Sequence, residues 1–97
     1  MTREEYLLIL LAEECAEVAQ RATKVLRFGM TDPAGNEPGQ PYNNRERLLG
    51  EVNDLLTILG MIFPDEEYVD KQYQYEKRMR IEKYLRLSQE LGTVDKS

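Results

Sequence analysis

The sequence predicts an all-α protein, a small bundle of three long helices completed by oligomerisation. Three observations carry this. Apolar residues recur at the helical period in three stretches. Proline and glycine gather between and beyond those stretches. No segment alternates with period two for long enough to propose a strand. The chain of 97 residues allows one domain. Three amphipathic helices of such length carry more apolar surface than a monomer this small covers, and two-fold dimers are the commonest way to bury it.

The first helix is expected over residues 2–28. Thr2 followed by Glu5 makes a capping box, Leu7, Leu11, Val18, Ala22 and Val25 carry the period, and Gly29 is the stop. Residues 29–43 (GMTDPAGNEPGQPYN) hold three prolines and three glycines, so they form a loop. A loop of this length is either a lid that orders over a ligand or a passive connection. The second helix is expected over 44–63, capped by Asn43 or Asn44 and ended by Pro64, with Leu48, Val52, Leu55, Ile58, Leu59 and Ile62 on its apolar face. The third is expected over 65–91, with Asp65 as cap, Glu66 and Glu67 in the first turn and Gly92 at the end. Its stripe runs through Val69, Tyr73, Tyr84, Leu87 and Leu91, with the two tyrosines read as packing. Residues 93–97 are expected to fray. Cys15, at the edge of the first stripe, is expected in the core, and Tyr42, beside the loop, is a candidate base contact.

Composition narrows the chemistry. There are 18 acidic residues against 13 basic ones, a formal charge of -5 and no histidine. The missing histidine removes Ser-His and Cys-His catalysis, most zinc sites and histidine-ligated di-iron centres. An acidic chain is a poor generic binder of nucleic acid. No apolar stretch is long enough to span a membrane, and the N-terminus lacks the form of a signal peptide. A lone cysteine cannot form an internal disulfide, which fits a reducing, cytoplasmic setting. What remains is carboxylate chemistry, and hard cations prefer carboxylates.

The carboxylates are unusually placed. Glu14 and Glu17 are three apart on the first helix, and Glu51 and Asp54 are three apart on the second. At about 100° per residue, each pair shares one side of its helix. Measured from Glu14, Leu7 and Val25 fall within about 20° and Leu10 and Val18 within about 40°. Measured from Glu51, Ile58 and Ile62 fall within about 20° and Leu55 within about 40°. The first acid of each pair therefore sits inside the core-facing stripe, and the second on its edge. A buried carboxylate must be paired, protonated or bound to metal. If the two helices pack antiparallel, four carboxylates converge, and Mg²⁺ or Mn²⁺ suits that donor set. The plainer alternatives are acid pairs arising by composition and, for Glu17, a salt bridge to Arg21 four residues on.

Glu13-Glu14-x-x-Glu17 followed by Glu51-x-x-Asp54, within LLAEECAEVAQ and LLGEVNDLLTIL, resembles the MazG-like, all-α nucleoside triphosphate pyrophosphohydrolases. The resemblance covers most of the first two helices. It implies that Glu14, Glu17, Glu51 and Asp54 hold Mg²⁺, that Glu13 orients or deprotonates water, and that a nucleoside triphosphate is cut to the monophosphate and pyrophosphate. It also implies a homodimer or homotetramer. The interval between the pairs is longer than family members commonly show, and no helix is apparent before the first motif. On the third helix, Arg80 falls within the stripe, Lys77 on its edge and Lys83 further round, and these three, with Arg21 of the first helix, are the candidate substrate contacts; the plainer reading of the third-helix residues is solvated, snorkelling cations. The competing class is a non-enzymatic helical oligomer, a regulator or adaptor whose acid pairs are structural or bind a cation without turnover.

Overall fold

The computed structural model describes residues 1–32, 38–39 and 41–96. Among them there are three α-helices and no strand: α1 (Arg3–Phe28), α2 (Asn44–Ile62) and α3 (Lys71–Glu90). The chain divides into two compact units, Met1–Pro64 and Asp65–Ser97. Part of the expected lid, residues 33–37 and 40, lies outside the described residues.

Local chemistry sets the helix ends. Thr2 is extended and its hydroxyl oxygen accepts the Glu5 N–H at 3.1 Å. The hydroxyl in turn donates to the Glu5 carboxylate at 3.1 Å, so the reciprocal half of this cap runs between side chains. Gly29 closes α1 with φ of 91°, a conformation that favours glycine, and its N–H donates to the Val25 carbonyl at 2.8 Å. Asn43, of the two candidates, caps α2. Its side chain accepts the Glu46 N–H at 2.9 Å while its own N–H donates to the Glu46 carboxylate at 3.2 Å, a complete capping box.

Asn44 has another task. It is only 2% exposed, and its side-chain amide donates to the Gly29 carbonyl at 3.0 Å. Its backbone N–H donates to Asp32 at 3.3 Å, and that of Arg45 donates to Met30 at 2.9 Å. These bonds stitch the end of α1 to the start of α2 and fold the first unit into a helical hairpin. The helices run antiparallel, since Gly29 meets Asn44 while Glu14 and Glu17 meet Glu51.

The inward faces follow the helical period. On α1, Leu7 is buried and Leu10, Leu11, Val18 and Val25 are half-buried. On α2, Leu48, Val52, Leu55, Ile58, Leu59 and Ile62 are all half-buried, as expected. Ala22 is exposed, its single methyl too short to reach the seam from the edge of the stripe. Cys15, expected in the core, is also exposed; it follows Glu14 by one residue and turns away from the face that Glu14 shares with Leu7 and Val18.

The second unit departs most from expectation. α3 begins at Lys71 rather than Asp65. A cap needs an extended residue whose side chain reaches the third helical N–H. Asp70 meets this with φ of -116° and ψ of 110°, and its carboxylate accepts the Tyr73 N–H at 3.0 Å. Asp65 lies instead in the turn after Pro64, so Glu66, Glu67 and Val69 precede the helix. Tyr73 and Tyr84 are 61% and 59% exposed and α3 buries no residue, because a single helix has no second apolar face within its own unit. The tail is bonded rather than frayed as far as Asp95. The Thr93 N–H and hydroxyl both donate to the Ser88 carbonyl, at 3.0 and 3.1 Å, and the Gln89 amide donates to the Asp95 carbonyl at 2.9 Å.

Asn44→Ala removes the buried donor and leaves the Gly29 carbonyl without it. The expected loss is about 1–3 kcal/mol of unfolding free energy, read from urea or thermal melts. An unchanged midpoint would show that the stitch does not hold the hairpin.

Candidate functional site

The site is built on the facing stripes of α1 and α2. Glu14 and Glu51 occupy inward positions and are half-buried, while Glu17 and Asp54, one turn further along each helix, are exposed at the edge. Glu14, Glu17 and Glu51 each offer one carboxylate oxygen, and the three oxygens lie within 4.8 Å of one another. Asp54 stands beside this triad, close enough for its charge to act on both Glu14 and Glu51. Glu13 is exposed on α1, and its charge acts more weakly on Glu14.

Two oxygens in the cluster are out of place by ordinary rules. Oε2 of Glu14 and Oε2 of Glu51 are inaccessible to water and have no hydrogen-bond partner among the described residues. Buried carboxylate oxygens without a partner are rare and costly. The cost shows in proton affinity. Burial, chiefly, pushes the Glu51 carboxyl up to about 7, helped by a hydrogen bond with Glu17 and by repulsion from Glu17, Asp54 and Glu14. Burial likewise raises Glu14, and the charges of Glu17, Asp54 and Glu13 add to it, while a hydrogen bond with Glu51 partly opposes the rise. Burial and the neighbouring acids thus favour the protonated form of the Glu51 carboxyl.

The donor set fits a hard divalent cation. It is all carboxylate, with no imidazole anywhere in the chain. Three oxygens spaced within 4.8 Å have a common point no more than about 2.8 Å from each, so a modest contraction reaches the ~2.1–2.6 Å of Mg²⁺ or Ca²⁺ coordination. A cation there would satisfy both orphaned oxygens and displace the retained proton.

Next to the triad is a cleft of about 280 Å³, lined by Tyr42, Glu46, Arg47, Gly50, Glu51 and Asp54. Arg47, Glu51 and Asp54 are spaced by four and three residues, so one face of α2 serves both the acid cluster and the cleft. Tyr42 lines the cleft from the residues just before α2. Arg47 and Gly50 were not singled out from sequence. The signal for Arg47 is its position one turn before Glu51, on the same face. Arg21 is half-buried on α1, one turn beyond Glu17, and Arg80, Lys77 and Lys83 are exposed on α3 in the second unit. The Lys83 ammonium sits 5.8 Å from the centre of the Tyr84 ring.

No family model matches the sequence, and no curated relative or solved structure matches the chain. Among the described residues, no helix is long and apolar enough to cross a membrane.

The retained proton makes a signed prediction. Between pH 4.5 and about 7 the folded chain holds a proton on Glu51 that the unfolded chain has released. Stability from this group is complete below pH 4.5 and is lost as pH rises through 7. No histidine titrates in that window. In EDTA the melting temperature should fall across it, with a loss on the order of 1–3 kcal/mol. Glu51→Gln should flatten the profile. Parallel profiles for the two proteins would show that Glu51 does not hold the proton.

Proposed function

We propose that the protein is a Mg²⁺-dependent nucleoside triphosphate pyrophosphohydrolase that cleaves a ribo- or deoxyribonucleoside triphosphate to its monophosphate and pyrophosphate. The observation that supports this most is the triad of Glu14, Glu17 and Glu51, with its two orphaned oxygens, at the edge of a cleft large enough for a small ligand. Glu14, Glu17 and Glu51, with Asp54 beside them, would hold Mg²⁺, Mn²⁺ being the other suitable ion. When bound, the cation supplies charge neutralisation for phosphate oxygens.

The chain's own groups account for the remaining work. Glu13 is exposed next to the cluster and takes a proton from the attacking water. The water oxygen bonds to the α-phosphorus, the bond from that phosphorus to the bridging oxygen breaks, and pyrophosphate departs with the electron pair. Arg47, in the cleft wall one turn before Glu51, is placed to offset charge on the phosphates. Arg80, Lys77, Lys83 and Arg21 were the sequence candidates for substrate contact; Arg47 is the cation in the lining of the hairpin's cleft.

The working form is proposed to be a homodimer or homotetramer. The described residues bury only Leu7 and Asn44, and α3 buries none. Large apolar side chains stand open on every helix, among them Leu26 at 87%, Leu56 at 43% and Ile81 at 55% exposure. Self-association covers such faces. Light scattering on a sizing column should give a mass at least twice that of the 11.3 kDa chain. A monomer at micromolar concentration would refute the oligomer.

Release of pyrophosphate from a panel of nucleoside triphosphates should require Mg²⁺ and stop in EDTA. Glu14→Gln should lower kcat/KM by at least about a hundredfold while keeping the helical signal, since Gln matches Glu in helix propensity but gives a hard cation no charge. Turnover that survives EDTA or Glu14→Gln would remove the metal reading. A lack of turnover together with a melting temperature unmoved by Mg²⁺ would favour a regulator or adaptor.

A further inference from the structure

Gly50 lies in the interior of α2, where glycine is among the least favourable residues. Two structural reasons can place a glycine in a helix. One is a positive φ, and Gly50 does not have one. The other is a close neighbour that leaves no room for a Cβ, and among the described residues a Cβ at Gly50 would meet nothing within 4 Å. Neither reason applies. What Gly50 does touch is the cleft, between Arg47, three residues before it, and Glu51 and Asp54, one and four residues after it. The space that a side chain would fill is the cleft itself.

We infer that Gly50 is the specificity-determining position of this cleft, kept bare so that the flat face of a planar ring can lie on the α2 backbone beside the acid triad. The cleft is near the lower end of the ~300–1,000 Å³ typical of small-molecule sites, so even a few added carbons would compete with the ligand. Tyr42 supplies an aromatic surface at the same cleft. Glu46 spends one carboxylate oxygen on the Asn43 N–H, in the cap of α2, which fixes the carboxylate in the cleft wall. A carboxylate held there accepts hydrogen bonds from ring N–H groups, so the chemistry favours a ring whose edge carries amino or imino donors. This inference rests on the proposed polyphosphate chemistry, because the triad next door is what would hold the charged end of such a ligand.

The test uses Gly50→Ala and Gly50→Leu in the full chain. Both should melt at or above the wild-type temperature, because each improves helix propensity and points into open space. Three probes are titrated by calorimetry into wild type and variants: Mn²⁺ alone, Mg²⁺ with inorganic triphosphate, and Mg²⁺ with non-hydrolysable nucleoside triphosphate analogues of differing base edges. The expected result is unchanged Mn²⁺ and inorganic triphosphate affinity in Gly50→Leu, a loss of at least about tenfold for nucleoside triphosphates, and a smaller loss in Gly50→Ala. Wild-type nucleotide affinity retained in Gly50→Leu would overturn the role of Gly50 and leave the pyrophosphohydrolase reading standing. Equal loss of all three probes, or a changed oligomer mass in Gly50→Leu, would mean that Gly50 serves packing and not selection. No nucleotide binding by wild type would overturn both.

Discussion

Carboxylates facing one another across the seam between α1 and α2 are the constraint around which the first unit is organised. Glu14 and Glu51 hold inward positions that an apolar residue would fill more favourably, and each carries an oxygen cut off from water and from hydrogen-bond donors. Neighbouring charges on Glu17 and Asp54 increase the strain. Burial and these charges push the Glu51 carboxyl up to about 7. Violations of local packing rules are expected where a site has been built.

The geometry of the seam depends on a second, smaller interaction. Asn44 is the most buried residue of the described chain, and its amide holds the Gly29 carbonyl. The loop therefore leaves α1 and enters α2 from a fixed point, and the axial register of the two helices follows. Register decides which turn of α1 faces Glu51. Sliding either helix by one turn, about 5.4 Å, would exceed the spacing of the triad and separate its oxygens. The same face of α2 that carries Glu51 and Asp54 also carries Arg47 and Gly50, so the register that assembles the acids also places the cleft beside them. In the proposed reading, the charged end of a substrate and its ring are served by adjacent turns of one helix.

The helices themselves were legible in the sequence, because helix formation is local. The period of Leu48, Val52, Leu55, Ile58, Leu59 and Ile62 locates the inward face of α2, and all six are half-buried. Thr2, Gly29 and, of the two candidate caps, Asn43 mark ends that the structure keeps. The placement of Glu14 and Glu51 inside their stripes also follows from angular spacing alone, since residues on one helix share a rigid frame. The start of α3 was less legible. Asp65 and Asp70 are both competent caps by residue type, and the choice fell to backbone conformation, with Asp70 extended and Asp65 in the turn after Pro64.

Only the tertiary structure decided how the two stripes meet. It brought Glu14, Glu17 and Glu51 within 4.8 Å and left Asp54 beside them, a distinction that angular spacing on separate helices cannot make. It revealed Asn44 as the buried stitch rather than a helix cap, and it grouped Tyr42, Arg47 and Gly50 into one cleft. It also exposed Tyr73 and Tyr84, which their stripe alone would have buried. The physical reason is common to all of these. Periodicity states which way a side chain points from its own helix axis, but what it meets there depends on the register and presence of a partner surface far away in sequence.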